Sequence, residues 1–107
     1  LLGLLDFGRA YYAMVSIRDA ADEGASYAAI NPGDVDGIRR RAAEATVGLI
    51  EVEETDVFVS YPDGQALGSP VVVRVDYEMT LFTPFVNGLF PEGLVLHGES
   101  THAILSL

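Results

Sequence analysis

"LLGLLDFGRAYYAMVSIRDAADEGASYAAINP", residues 1–32, is the stretch that decides the fold. No proline occurs before Pro32, and apolar side chains recur at steps of three or four: Leu4, Phe7, Tyr11, Met14, Ile17, Ala21, Ala25 and Ala28. Asp6, Arg9, Ser16, Asp19, Glu23 and Ser26 occupy the opposite set of positions. That period predicts one long two-faced helix over 1–31. Asn31-Pro32-Gly33 ends it, because proline pushes the residue before it out of the helical region. The first half carries Leu, Phe, Tyr and Met, whereas "EGASYAA" at 23–29 carries small side chains. Gly24 inside a helix costs about 1 kcal/mol relative to Ala. The second half is therefore read as a surface that another element approaches closely. Tyr11 and Tyr12 are read as core aromatics facing a sheet.

A shorter helix is expected at 35–49 (34–49 with its cap). Asp34 or Asp36 serves as N-cap, and Ile38, Ala42, Ala45 and Leu49 lie in register. Arg39, Arg40 and Arg41 point about 100° apart on such a helix and make no single patch, so they read as solvated surface. After Ile50 the period changes to two. Thr55, Val57, Val59 and Tyr61 alternate with Asp56, Phe58 and Ser60, and "YPDG" at 61–64 is a turn. Val71, Val73, Val75, Tyr77 and Met79 form one face of a second strand, with Arg74, Asp76, Glu78 and Thr80 on the other. The two strands should pair as an antiparallel hairpin. "LFTPFVNGLFP" at 81–91 is broken by Pro84, Gly88 and Pro91 and reads as a loop.

The last stretch, 94–107, is read as a strand pair or one bent strand. Leu94 and Leu96 share one parity, whereas Ala103, Leu105 and Leu107 share the other, so a bulge or bend is expected at Gly98. The order α-α-β-β-loop-β gives an α+β domain over 1–107, with a long helix and a second short one packed on a small antiparallel sheet over 51–107.

The chain has 107 residues, 16 acidic and 6 basic, for a formal charge of −10. Such a surface repels a phosphate backbone, which argues against nucleic-acid binding. Cysteine is absent, which excludes disulfides, thiolate metal sites and cysteine nucleophiles. No stretch of about 20 apolar residues is present. Leu1–Leu5 read either as part of the domain's own core or as the last turn of a longer apolar segment.

His97 and His102 are the two histidines. Five residues apart on a strand they face opposite sides, and they read as partly exposed strand residues rather than as a metal pair with Glu99. "NPGDVDG" at 31–37 has the flavour of a calcium loop. Placing Asp34, Asp36 and Gly37 at the third, fifth and sixth loop positions leaves Pro32 and Ala43 where the end ligands belong, so helix capping is the preferred reading. Glu51, Glu53, Glu54 and Asp56 read as a solvated acidic junction. Neither a P-loop nor a Gly-rich dinucleotide pattern occurs. No enzymatic activity, cofactor or metal is expected.

The leucine tract leading into Asp6-Phe7-Gly8-Arg9, then Tyr11-Tyr12, Ala20-Ala21, Glu23-Gly24-Ala25 and Tyr27-Ala28-Ala29, resembles the N-terminal signature of TadE-like proteins. These are pilin-like subunits of the tight-adherence branch of type IV pilus and secretion machinery. Family members often carry arginine near position 22 and after the Gly-Ala step, where this chain has Asp22 and Ser26. Tyr77 through Thr83-Pro84-Phe85 looks like the family's strand followed by a "TP" turn.

The resemblance implies a non-enzymatic subunit whose helix continues from a hydrophobic anchor in the inner membrane. The domain would then lie on the extracytoplasmic side or within an extracellular pilus. Its partners would be other pilin or pseudopilin subunits and the assembly machinery. Neither the prepilin peptidase site nor the assembly glutamate typical of the family occurs in this sequence. The helix-packing surface is assigned to Leu1, Leu4, Leu5, Phe7, Gly8, Tyr11 and Met14, where Gly8, Ala10 and Ala13 permit close approach. The alternatives are a soluble ligand- or protein-binding module using the outer sheet face and, behind it, a calcium-dependent adhesin.

Overall fold

In a computed structural model the chain folds as an α+β domain. The structure describes residues 2–46, 50, 52–79 and 94–106, with the helical side chains described from Phe7 onward. Leu1, Glu51, the end of the anticipated second helix at 47–49, the proline-broken segment 81–91 with its Thr83-Pro84-Phe85 turn, and Leu107 lie outside the described residues.

Helix α1 spans Leu2–Ile30, 29 residues, close to the range its periodicity predicts. At 1.5 Å per residue it is about 43 Å long. The molecule accordingly measures 49 × 26 × 19 Å, with a radius of gyration of 15.5 Å. A compact chain of this length would have about 13 Å.

The buried positions of α1 include Ala13, Ser16, Ile17, Ala20, Ala21, Gly24, Ala25, Ala28 and Ala29. They recur at steps of three and four, but their stripe departs from the expected one at the start. Phe7 is 71 % and Tyr11 67 % exposed, and Tyr12 is 51 % exposed, so Tyr11 and Tyr12 are not core residues. Ser16, placed on the polar face by the pattern, is buried and donates its hydroxyl hydrogen to the Tyr12 carbonyl at 2.9 Å. An i−4 back-bond of this kind lets a serine enter an apolar face without an unsatisfied hydroxyl.

Helix α2 spans Val35–Glu44. Asp34 is its N-cap, accepting from the Gly37 N–H at 3.1 Å. It stops five residues short of the expected end. Thr46 donates both its N–H (3.1 Å) and its hydroxyl (2.8 Å) to the Ala43 carbonyl, which tightens the last turn and leaves Ala45 exposed. Arg40 and Arg41 are surface residues, but Arg39 is half-buried, and its Nε has no hydrogen-bond partner among the described residues.

Among the described residues three strands follow: β1 (Val57–Ser60), β2 (Pro70–Met79) and β3 (Leu94–Ala103), all antiparallel in the order β1-β2-β3. Val57 faces Val75 and Val59 faces Val73, as the alternation requires. Gly64 and Gly68, at φ +85° and +83°, supply the left-handed positions of the β1–β2 connection. The core lies between this sheet and the helices, and it includes Ile17, Ile38, Val57, Val71, Val73, Val75 and Ile104.

The expected bulge at Gly98 does not exist. β3 pairs with β2 in one unbroken register, from Pro70 opposite Ala103 to Met79 opposite Leu94. From Leu96 on, even-numbered positions therefore face the helix, and Ile104 continues that parity into the core, while Ala103 and Leu105 face solvent. Gly98 serves a different purpose. A Cβ there would sit 2.9 Å from the backbone of Ile17 and Arg18, so α1 rests directly on the strand at this point. Gly24 does the same on the other flank, with Ala42 Cβ and Val73 Cγ1 each 3.2 Å from where its Cβ would be. The small-residue half of α1 is therefore the closely approached surface its sequence predicts.

Gly98→Ala should cost about 1–3 kcal/mol of stability through overpacking against helix backbone. Gly8→Ala, where no atom lies within 4 Å, should gain about 1 kcal/mol. Urea unfolding of the two variants checks the opposite signs.

Candidate functional site

The surface residues assigned from sequence fall on the N-terminal half of α1. Leu1 and the side chains of Leu4 and Leu5 lie outside the described residues. Phe7, Gly8 and Tyr11 are exposed, and Met14 is half-buried against the core. Phe7 and Tyr11 continue at the same four-residue step to Val15, 43 % exposed, making an apolar stripe. Tyr12 stands beside it. The structure thus brings Phe7 and Tyr11 together on one side of the helix and turns Met14 toward the sheet.

Below this stripe α1 is locked in place by polar ties that the sequence alone does not announce. Asp22 Oδ1 accepts from the Ser100 hydroxyl at 3.0 Å and lies 2.9 Å from His102 Nε2. Serine, histidine and aspartate are the residue types of a hydrolytic triad, but here both partners meet the same carboxylate oxygen. The serine hydrogen goes to Asp22 rather than to the imidazole, so the histidine is not placed to activate that hydroxyl. The cluster joins helix to strand. These bonds hold the Asp22 carboxyl below its ordinary range, His102 first and Ser100 second.

At the other end, the Tyr27 hydroxyl donates to Asp34 Oδ2 at 2.6 Å, so Asp34 caps α2 with one oxygen and binds α1 with the other. The shared bond raises the Tyr27 pKa and lowers that of Asp34. Tyr61 donates its hydroxyl hydrogen to the Pro32 carbonyl. A depression of about 370 Å³ beside this turn is lined by Ile30, Asn31, Pro32, Gly33, Asp34 and Gln65. Both oxygens of its carboxylate are already engaged, and capping is the role Asp34 plays. Among the described residues no group of three His, Asp or Glu side chains is placed to hold a metal.

The outer sheet face carries a second cluster. His97 Nδ1 lies 2.6 Å from Asp76 Oδ1, and Arg74 Nε lies 3.2 Å from the same oxygen. The Arg74 guanidinium stacks 4.8 Å from the centroid of the Phe58 ring. His97 and His102 do face opposite sides of β3, as their spacing predicts. The signal that could have located Ser100 and His102 on the helix side is Ile104, which shares their parity and that of Leu96.

Asp22 has a depressed folded-state pKa, so its contribution is present above the unfolded value near 3.8 and lost as pH falls through the folded one. Asp22→Asn should therefore be less stable than the parent at pH 7, with the gap closing below the ordinary carboxylate range. Urea midpoints measured across acid pH check this.

Among the described residues no helix is long and apolar enough to cross a membrane. No protein-family model, curated protein or solved structure matches this chain.

Proposed function

We propose that this domain is a non-enzymatic minor pilin or pseudopilin subunit of a Tad-type adhesion pilus or secretion apparatus, assembled through the N-terminal half of α1. The observation that carries the reading is the exposed stripe of Phe7, Tyr11 and Val15 with Tyr12 beside it, set on a helix whose C-terminal half buries one face of small side chains against the sheet and α2. Large aromatic side chains clustered at a helix surface bury much area per residue when another helix packs there. The close seating of Gly24 against α2 and Val73, and of Ile17 and Arg18 on Gly98 of β3, sets where that stripe stands relative to the sheet. The TadE-like pattern of residues 1–32 supports the same plan, a long helix entering a small sheet domain. In that setting the preceding hydrophobic segment anchors the subunit in the inner membrane, and the neighbours are other pilin-like subunits.

The outer sheet face supports a second reading, a module that binds ligand or protein there. Phe58 and Val95 are exposed on that face beside the Arg74–Asp76–His97 cluster.

Phe7→Asp and Tyr11→Asp separate the two. Both side chains are exposed, so the variants should keep the parent's unfolding midpoint within about 0.5 kcal/mol. In cells they should abolish pilus assembly or surface adherence, scored by electron microscopy and retention on a surface. Unchanged assembly in both variants overturns the assignment of this stripe.

A further inference from the structure

The amides of β3 alternate in direction, and the structure fixes which set points where. Ile104 donates its N–H to the Ser69 carbonyl at 2.9 Å and accepts from the Gly68 N–H at 2.8 Å, so even-numbered residues bond toward β2. By the alternation of an antiparallel ladder, the N–H and C=O groups of Val95, His97, Glu99, Thr101 and Ala103 point to the open side. Past the strand, Leu105 donates to the Ala29 carbonyl at 2.7 Å, but no hydrogen bond among the described residues joins the edge from 95 to 103.

That edge is unusual in what it lacks. Native edge strands are commonly short, bulged, or marked with proline or lysine, which discourages pairing with another chain. β3 is ten residues long, keeps one register along its whole length, and contains neither proline nor lysine. β1, the opposite edge, is four residues long.

We infer that the free edge of β3 pairs antiparallel with β3 of a second copy of this chain, with Gly98 on the two-fold axis, making a continuous six-stranded sheet. Side-chain pairing selects the register. With Gly98 opposite Gly98, each Glu99 carboxylate stands opposite a His97 ring of the other copy, and each Val95 stands opposite Thr101. His97 meets Asp76 through Nδ1, which leaves Nε2 as the ring nitrogen to bond the incoming carboxylate. Shifting each strand by one residue to centre on Glu99 would instead set two carboxylates directly opposite one another, which is destabilising. In the Gly98-centred register the paired residues are also both edge-facing, as hydrogen-bonded pairs require. A two-fold contact of this type is self-complementary and closes at two copies.

α1 leaves room for it. Glu23 and Tyr27 of α1 reach Arg41 on α2, whereas Asp22 reaches Ser100 and His102 on β3. The β3 side of α1 thus carries no second helix among the described residues. Val15, near the contact of Ile17 with Gly98, is exposed apolar surface that a second α1 would help cover.

Sedimentation velocity and amide hydrogen exchange on the intact 107-residue chain test the inference. Between low micromolar and near-millimolar concentration the chain should pass from monomer to dimer. The amides of Val95, His97, Glu99, Thr101 and Ala103 should then exchange at least tenfold more slowly, while those of α1 residues 7–12 are unchanged. Thr101→Pro removes one edge-facing donor at a position where the ladder to β2 needs none, so it should fold normally and stay monomeric. Monomer at every concentration, or edge amides that exchange equally fast in monomer and dimer, overturns the inference. So does a dimer that survives a folded Thr101→Pro variant but is lost in Phe7→Asp. That last outcome would place self-association on the helix stripe and leave the assembly role of α1 standing.

Discussion

The seating of the α1 backbone on β3 at Gly98, with Gly24 opposite α2 and Val73, is the contact on which the remaining geometry depends. Apolar interiors gain through many short contacts, and a helix whose face is Ala and Gly can lie closer to a sheet than one faced with Leu. The layer between α1 and the sheet is correspondingly thin, filled by alanines from the helix and valines from the strands. This closeness has three consequences. Asp22 comes within hydrogen-bond reach of Ser100 and His102, α2 is drawn in against Gly24, and Phe7, Tyr11 and Tyr12 are left outside the packed layer.

Polar groups fix the direction of the helix that the small residues bring in. Asp34 joins two helices with its two oxygens, and Tyr61 fastens the β1–β2 connection to the α1–α2 turn at Pro32. The Leu105 and Ser106 amides both end on the Ala29 carbonyl, satisfying an acceptor that a helix C-terminus leaves open. With its C-terminal half held in this way, α1 presents Phe7, Tyr11 and Val15 in a set orientation. An apolar stripe held in a set orientation loses little conformational freedom when a partner covers it.

The charge of −10 bears on how such a surface is used. Like-charged copies repel at long range, so indiscriminate association is suppressed. Contacts that succeed must gain from shaped apolar area or from backbone hydrogen bonds. Those are the two resources this fold leaves unspent, one on the flank of α1 and one along the edge of β3.

Local periodicity was sufficient for much of this architecture. The three-to-four spacing of residues 1–31 specified α1, the alternating valines of 71, 73 and 75 specified β2 and its buried face, and residue type and position narrowed the α2 cap to Asp34 or Asp36, of which the structure uses Asp34. Phe7 and Tyr11 were legible as candidates because their size contrasts with the alanines that follow, and the structure leaves both exposed. What only the tertiary structure decided is which of several consistent local patterns was used. Leu105 and Ala103 look like a second apolar face of β3, but the unbroken register with β2 turns them to solvent and brings Gly98, Ser100 and His102 under the helix. Tyr11 and Tyr12 look like core, but the stripe that meets the sheet runs through Ala13, Ile17 and Ala20 and turns them away. Asp22 and His102 are eighty residues apart, and no local pattern encodes that meeting. Periodicity reports how one element divides its own faces, whereas register and close approach are properties of pairs of elements, set only when the chain packs.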